Sequence, residues 1–577
     1  MLVPSWMRSV CKMTDDQMAG NTLTRQDFLK LSGAAVAGVG LLGAAGCSGG
    51  GTIGGQQGGG GGSSVFTFGR GGPSVTLDPI HSTDSESSKV TLQVFDTLLG
   101  YKPGSTELAP ALATEIPKSE KGGLSYTFNL RKGVKFHDGT PCDADAVVFN
   151  FERWMNSSSP YHKGGGKQSS QFARYKIEFG GFDGDSNITK VEAVGSHAVR
   201  FTLKRPDGPF LNDIVIYTFA IASPDALKKD VENFWQHPVG TGPFKFVSWH
   251  RGSKIALEKN EDWWGTKVPV SEGGGGPHVK KFIFQDIPDN TSRVAALTGG
   301  DISAADGLNP DDVPTLRKSG DLKPVFQPPL DVGYLAMNCQ HKPFDDKRVR
   351  LAVVHAINMP KIVKAFFGDS GELASNPIPS IVKGFAEDIK PFEYDPEKSK
   401  KLLKEAGLGG GFKTNLWYMP IPRPYMPNAK GIAQAMKADL KKVGIDAKLV
   451  TREWATYIAE TGKGKHDMCL LGWSGANADP DTFINILLNG AYATKTNSQN
   501  VAYYKNPEMN KVLDQAARTV DEGERAKLYH RAQEIFHEDA PWAPVAYAKP
   551  VLGFQKSVKG FQPAPAGQRY NTVKITG

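Results

Sequence analysis

Three short motifs combine residue types that could carry hydrolytic or metal chemistry. Residues Gly472–Ala476 follow the pattern of a hydrolase nucleophile elbow around a serine, but the last position is Ala instead of Gly. His537 and Glu538 begin like a zinc-protease motif and continue as Asp-Ala-Pro. The stretch from Asp183 begins like a calcium loop, with Ile at the position of the required Gly. We therefore predict no enzyme, no catalytic residue, no metal and no cofactor, with a secreted hydrolase as a remote alternative.

Cys47 is the residue for which the sequence predicts a covalent modification. Residues Leu31–Gly46 are small or apolar and uncharged, which suits a signal peptide and is short of the ~20 residues that span a bilayer. Arg25 and Lys30 precede them, and small residues before a cysteine resemble a lipobox. We predict a lipoprotein signal peptide over residues 1–47 and lipid on Cys47. The protein would then be extracytoplasmic, anchored to the outer face of the cell membrane or periplasmic.

The segment after the predicted lipid site has the composition of a flexible tether. Residues 48–64 contain ten glycines, and a chain of this length reaches on average about 20–25 Å. Residues Thr24–Lys30 resemble a twin-arginine export motif with Gln26 in place of the second arginine. Twin-arginine and general secretory export therefore both remain open.

Three further cysteines, Cys142, Cys339 and Cys469, lie far apart along the chain. No two of them form a CxxC pair, so we expect neither a zinc site nor a redox site. At most one disulfide is possible among them, and the sequence leaves open whether it forms.

The composition predicts folded cores. The chain has 577 residues, a formal net charge of +8 at pH 7, and 39% hydrophobic and 10% aromatic residues, which excludes global disorder. The mean hydropathy of -0.35 excludes a polytopic membrane protein, because there is a single long apolar stretch. The excess of basic residues is small and indicates no nucleic-acid partner.

Alternation and helix-start signals predict a mixed α/β fold. Residues Tyr126–Leu130 alternate as a strand. Residues Pro396–Gly407 predict a helix, which is followed by a strand over Phe412–Tyr418. The same order recurs in a helix over Pro427–Gly444 and a strand over Ile445–Thr451. Units of this kind imply layered domains with helices packed on sheets.

Several segments, taken together and in order, resemble a known family over essentially all of residues 65–577. The segments are Leu77–Pro79, Tyr126–Gly139, Pro238–Phe244, Asn260–Trp264, Pro343–Arg350, Tyr394–Lys398 with Lys401–Gly407, and Gly472–Trp473. They resemble the family 5 extracytoplasmic solute-binding proteins, the receptors of peptide and nickel ABC importers. Four more stretches resemble the dipeptide-binding branch of that family: Ser159–Lys163, Arg423–Asn428, Trp454 and Gly472–Phe483.

The resemblance implies an α/β, periplasmic-binding-protein-like fold of class II. Two α/β lobes would enclose the ligand and an extra lobe would stand beside them. The expected boundaries are residues 65–108, 236–330 and 545–577 for lobe I, 109–235 for lobe II (the extra lobe) and 331–544 for lobe III. The two enclosing lobes would close by a hinge, which we place at Asp331–Asn338.

The resemblance also implies one side of a ligand site. A peptide is a zwitterion, so enclosing it requires a cation for its carboxylate and an anion for its ammonium group. Arg423 matches the arginine that holds the carboxylate, and a guanidinium can form a bidentate pair. Tyr425 and Trp473 would wall the pocket, and Thr83 would offer a hydroxyl from the opposite lobe. A surface position for Arg423 and ordinary core packing for Trp473 remain open.

The ammonium side departs from the dipeptide-binding branch. There, an aspartate stands two residues after the position of Ser474, and here that position is Ala476. A methyl group cannot pair with an ammonium group, so either another acid replaces it or the ligand lacks a free amino terminus. We rank Asp84 first as the replacement, with Glu86 as a further candidate. Asp479 and Asp481 are nearby, and we expect them instead to cap or fix the turn that follows.

The sequence therefore predicts a monomeric lipoprotein receptor that captures di- or oligopeptides and delivers them to an ABC permease, without nucleic-acid partners. One alternative is the same fold with a non-standard solute, such as a modified or γ-linked peptide or another small amphipathic molecule. Another is a peptide-sensing receptor or chaperone.

Overall fold

The computed structural model describes residues 64–167 and 171–576. The predicted signal peptide, the predicted lipid site Cys47 and the tether up to residue 63 lie outside the described residues. The chain divides into two units, residues 1–61 and residues 62–577. All of the described residues belong to the second unit.

Strands are spread over the whole of this second unit. They are β1 (Val65–Arg70), β2 (Leu99–Tyr101), β3 (Leu108–Pro110), β4 (Ser119–Glu120), β5 (Ser125–Asn129), β6 (Ile188–Ala193), β7 (Ala198–Leu203), β8 (Phe244–His250), β9 (Lys254–Lys259), β10 (Lys281–Asp286), β11 (Ala304–Leu308), β12 (Leu322–Phe326), β13 (Asp331–Met337), β14 (Gly371–Leu373), β15 (Phe412–Trp417), β16 (Ile445–Val450), β17 (Met468–Ser474), β18 (Trp542–Ala548), β19 (Val551–Gln555), β20 (Val558–Lys559) and β21 (Lys574–Ile575).

Helices alternate with these strands, as predicted for a mixed α/β protein. They are α1 (Ser85–Val94), α2 (Ala144–Met155), α3 (Ala173–Phe179), α4 (Phe210–Ile214), α5 (Pro224–Asp230), α6 (Asn290–Gly299), α7 (Val313–Lys318), α8 (Lys347–Ala356), α9 (Met359–Phe366), α10 (Pro396–Glu405), α11 (Ala429–Lys442), α12 (Trp454–Thr461), α13 (Asp481–Leu488), α14 (Pro507–Ala516) and α15 (Glu522–Asp539).

Local sequence signals explain where two of the predicted helices begin and end. Asp395 caps α10 through its side chain, with proline in the first turn, and Gly407 follows the helix with a φ of 78°, a conformation that glycine adopts without strain. Helix α11 begins two residues later than predicted, because Asn428 accepts a hydrogen bond from the backbone of Gly431 and thereby caps the helix. The predicted strands before and after α11 are confirmed as β15 and β16.

Three main sheets organise the unit. A seven-stranded sheet has the order β12-β19-β11-β1-β10-β9-β8, a six-stranded sheet has the order β14-β18-β13-β17-β15-β16, and a four-stranded sheet has the order β4-β5-β7-β6. The first two are mixed: β1 is parallel to β10 and β11, and β15 is parallel to β16 and β17. The four-stranded sheet is antiparallel.

Each main sheet has a hydrophobic core of its own. Tyr334 stacks on Trp542 in the core of the six-stranded sheet, with ring centroids 4.0 Å apart. Phe66 packs on Phe282 in the core of the seven-stranded sheet, and Phe128 packs on Phe201 in the core of the four-stranded sheet. Complete burial of each such side chain contributes about 1.5–3 kcal/mol.

The chain passes directly between the seven- and six-stranded sheets at two places. Residues 327–330 join β12 to β13, and residues 549–550 join β18 to β19. The two passages touch, since the backbone N–H of Gln327 donates to the carbonyl oxygen of Pro550 at 3.0 Å. The predicted hinge at Asp331–Asn338 coincides with strand β13, which is buried throughout and paired on both sides.

Three further features concern chemistry. Cys142, Cys339 and Cys469 are free thiols. Within residues 64–167 and 171–576, no helix is long and apolar enough to cross a membrane. In the same described ranges, no group of three or more His, Cys, Asp or Glu is placed to hold a metal ion.

Candidate functional site

A cavity of about 430 Å³ lies at the ends of β13 and β17 in the six-stranded sheet. Pockets for small ligands in proteins commonly have volumes of about 300–1,000 Å³. The walls of the cavity come from helix α1 and Thr83 just before it, and from strand β3. The ends of β13 and β17 and the stretch before β21 complete them. The lining residues include Thr83, Asp96, Tyr101, Arg174, Trp264, Glu272, Asp331, Ser474, Ala476 and Arg569.

The pairing of β13 with β17 brings Asp331 to Ser474. The two strands are antiparallel, and Asp331 is directly opposite Ser474 at the end of the ladder. Both residues line the cavity. Asp331 is only 8% exposed. Burial raises the pKa of its carboxyl to about 6, and a hydrogen bond with the Ser474 side chain opposes that rise.

Tyr425 packs on the same ladder. A Cβ atom placed on Gly472 would lie 2.2 Å from a ring carbon of Tyr425, and one placed on Gly333 would lie 2.3 Å from its carbonyl oxygen. Both glycines are therefore needed for the close approach of this loop. Burial raises the pKa of the Tyr425 hydroxyl to about 12. The tyrosine supports the strand ends that carry Asp331 and Ser474, and it is not itself a lining residue.

Arg423 lies on the same loop, outside the cavity lining. Its side chain is exposed, and its guanidinium is 5.0 Å from the centre of the Trp454 ring, a cation–π arrangement. Trp454 is the contact of the guanidinium among the described residues, and an exposed guanidinium in this position can still accept an anion. The predicted wall residue Trp473 belongs to β17 and packs against the core of the six-stranded sheet.

The acids that were predicted as replacements for an aspartate at position 476 are already engaged. The Asp84 carboxylate caps α1, accepting a hydrogen bond from the backbone N–H of Ser87 at 2.8 Å. Glu86 forms an ion pair with Lys89 at 2.6 Å. Neither residue lines the cavity, whereas the predicted residues Thr83, Ser474 and Ala476 do.

Two arginines line the cavity that sequence reasoning did not single out. Arg569 forms an ion pair with Asp96 at 2.7 Å, and the indole N–H of Trp264 donates to the same carboxylate at 2.8 Å. Arg174 forms an ion pair with Glu178 at 2.9 Å. Arg569 and Asp96 lie on distant segments of the chain, whereas Arg174 and Glu178 lie in the same helix, α3. No sequence motif marks either pair.

One edge of the cavity is closed by contacts between the four- and six-stranded parts. The Tyr101 hydroxyl accepts a hydrogen bond from the backbone N–H of Ala478 at 3.0 Å. Asn212 donates to Asp479 at 3.0 Å, and Arg525 forms a two-pronged ion pair with the same carboxylate at 2.8 and 2.9 Å. Asp479 thus has the structural role predicted for it, as an anchor of the turn after β17.

The fold and this cavity are those of a solute-binding protein. The profile of the bacterial extracellular solute-binding proteins, family 5, matches residues 107–495. The chain belongs to this family, and the predicted periplasmic-binding-protein-like α/β fold of class II is confirmed.

Two relatives and one solved structure are similar to this chain over most of its length. The chain is 36% identical over 499 residues to the dipeptide-binding protein of Escherichia coli, covering 85% of this chain and 89% of the relative. It is 34% identical over 486 residues to heme-binding protein A of Haemophilus influenzae, covering 82% and 85%. It is also similar to the solved structure of the periplasmic binding protein DppA from Helicobacter pylori in complex with the peptide STSA, with a TM-score of 0.71 and 35% identity over 89% of this chain and 99% of that one.

Proposed function

We propose that this chain captures short peptides outside the membrane and delivers them to the permease of an ABC importer, without covalent chemistry. The observation that carries the proposal is the composition of the cavity. Its wall combines aromatic side chains such as Tyr101 and Trp264 with both carboxylates and guanidinium groups. A zwitterion with variable side chains needs such a mixture of opposite charges and apolar surface. The similarity to a dipeptide-binding protein and to a peptide-bound structure supports it.

We further propose that the peptide is held between two lobes that close around it. Lobe I would comprise residues 65–108, 236–330 and 545–577, lobe II residues 109–235 and lobe III residues 331–544. The chain passages at residues 327–330 and 549–550 would serve as the hinge, because they are short and connect two separately packed sheets. Gln327 and Pro550 also line the cavity, so a ligand in the cavity would be in direct contact with the hinge.

Arg423 is the proposed partner of the peptide carboxylate. Its guanidinium is exposed and held over Trp454, and its loop packs through Tyr425 on the strands that reach the cavity. Arg174 is the competing candidate, since it lines the cavity and its Nε is buried and lacks a hydrogen-bond partner among the described residues. Arg423 is preferred because Arg174 is already neutralised by Glu178.

The proposed receptor is a monomer attached to the outer face of the membrane by lipid on Cys47. The apolar segment ahead of Cys47 and the glycine-rich tether after it support this. Replacement of Cys47 by Ser should release the protein from the membrane fraction, whereas replacement of the buried Cys142 by Ser should leave it there.

The ligand can be identified directly by native mass spectrometry of the purified protein. We expect one peptide of two to a few residues per chain, lost on denaturation. A bound heme or another non-peptide solute, with no peptide in any preparation, would refute the proposal.

A further inference from the structure

The charges on the cavity wall are not all compensated. Asp96 is paired with Arg569, and Arg174 is paired with Glu178. Glu272 is exposed to water. Asp331 is the remaining charged lining residue, and it is both buried and without an ion pair in the part of the chain that the structure describes.

We propose that Asp331 binds the α-ammonium group of the peptide, with the Ser474 hydroxyl holding the carboxylate in place. This rests on the proposed function and assigns the anion of that site. The strand pairing fixes the geometry, because Asp331 and Ser474 are cross-strand partners at the cavity wall. Ala476, which also lines the cavity, lies two residues beyond Ser474. Asp331, on the neighbouring strand β13, supplies the carboxylate that position 476 lacks.

The Asp331 carboxyl is buried without an ion pair among the described residues. A carboxylate removed from water is costly unless a cation or several donors face it. Here the neighbouring groups are the Ser474 hydroxyl on β17, the Tyr425 hydroxyl in the loop that packs on the strands, and Ala548 opposite on β18. The raised pKa of the carboxyl reflects this deficit. A ligand ammonium group would supply the missing positive charge and return the pKa toward its ordinary value.

The test compares two ligands and three proteins by isothermal titration calorimetry at pH 7, where the peptide ammonium group and the Asp331 carboxyl are both mostly ionised. The ligands are Ala-Ala and N-acetyl-Ala-Ala, and the proteins are the wild type, Asp331→Asn and the control Asp84→Asn. We expect the wild type to bind Ala-Ala at least about 30-fold more tightly than the acetylated peptide, as for loss of one partner of a buried charge pair. Asp331→Asn should lose that preference to within about threefold. Asp84→Asn should keep it, because asparagine also caps a helix.

A measurement on the unaltered protein covers the case in which Asp331→Asn does not fold. Between pH 7 and pH 5, protonation of Asp331 should weaken the binding of Ala-Ala by about tenfold, since its carboxyl has a pKa of about 6. The binding of N-acetyl-Ala-Ala should not weaken. Equal affinity of the wild type for both peptides, or an unchanged preference in Asp331→Asn, would overturn the assignment of Asp331. Absence of binding by either peptide to the wild type would instead refute the proposed function.

Discussion

Asn477 donates a hydrogen bond from its Nδ2 to Oδ1 of Asp213 at 2.8 Å, across 264 positions of sequence. Asp213 belongs to α4, which packs with the four-stranded sheet, and Asn477 lies shortly after the last residue of β17 in the six-stranded sheet. Both side chains are buried. Together with the bond from Asn212 to Asp479, this contact fixes the two parts of the protein at one edge of the cavity.

Replacement of Asn477 by Ala should lower the free energy of unfolding by about 1–3 kcal/mol, because a buried carboxyl would lose its hydrogen-bond donor. Urea denaturation followed by circular dichroism measures this. Asn129 offers a matched control, since its side chain donates to Glu115 at the surface. Asn129→Ala should change stability by less than about 0.5 kcal/mol. An equal loss of stability in both variants would contradict the stabilising role of the contact between Asn477 and Asp213.

Asp481 should make stability depend on pH. Burial and the nearby Asp479 and Asp207 raise the pKa of its carboxyl to about 7, against the opposing effect of Arg525 and a hydrogen bond from Asn485. The folded state therefore keeps a proton that the unfolded chain releases near pH 4, so this contribution to stability is present below about pH 4 and is lost as the pH rises through 7.

Asp481→Asn should accordingly be more stable than the wild type at pH 8, on the order of 2 kcal/mol, and similar to it at pH 4. Urea denaturation at the two pH values gives both comparisons. A difference that is the same at pH 4 and pH 8 would show that the carboxyl does not titrate in this range.

Gly472 should be intolerant of a side chain. A Cβ atom there would lie 2.2 Å from the Tyr425 ring and 2.7 Å from the carbonyl oxygen of Val332. Gly472→Ala should therefore destabilise the protein by about 1–3 kcal/mol through overpacking and weaken peptide binding by displacing the Tyr425 loop. A Cβ atom placed on Gly410 would have no heavy atom within 4 Å, so Gly410→Ala should affect neither thermal stability nor affinity. Retention of both properties in Gly472→Ala would contradict this packing.

Arg423→Ala should weaken the binding of Ala-Ala at least about 30-fold and abolish the preference over the C-terminally amidated dipeptide, because the carboxylate would lose its cation. Arg174→Ala is the matched comparison. Titration of both variants with both peptides separates the two arginines. If Arg174→Ala alone loses the preference for a free carboxylate, the carboxylate site belongs to Arg174 and the assignment of Arg423 is wrong.

Local signals in the sequence were sufficient for much of the secondary structure. The helix and strand over residues 396–417 follow from a cap, a terminating glycine and alternation. The position of Asp331 inside a sheet could not be predicted from sequence, because local signals do not distinguish a segment that crosses between lobes from a buried strand. Only the pairing of β13 on both sides shows that it is interior.

The site was less accessible to sequence reasoning than the fold. Positions such as Ser474 and Ala476 lie in a recognisable segment, and the structure places them at the cavity. Asp331 lies more than a hundred residues away and reaches them only through antiparallel pairing of β13 with β17. Sequence patterns point to acids nearby along the chain, whereas the proposed acid, Asp331, lies across the sheet from Ser474.

The most direct test of the account is calorimetric titration of the purified wild-type protein with di- and tripeptides that have free termini, beside heme and glutathione. We predict saturable binding of one peptide per chain, with a matching rise in melting temperature. No heat and no thermal shift with any peptide, together with saturable binding of heme or glutathione, would contradict the central claim that the cavity is a peptide site.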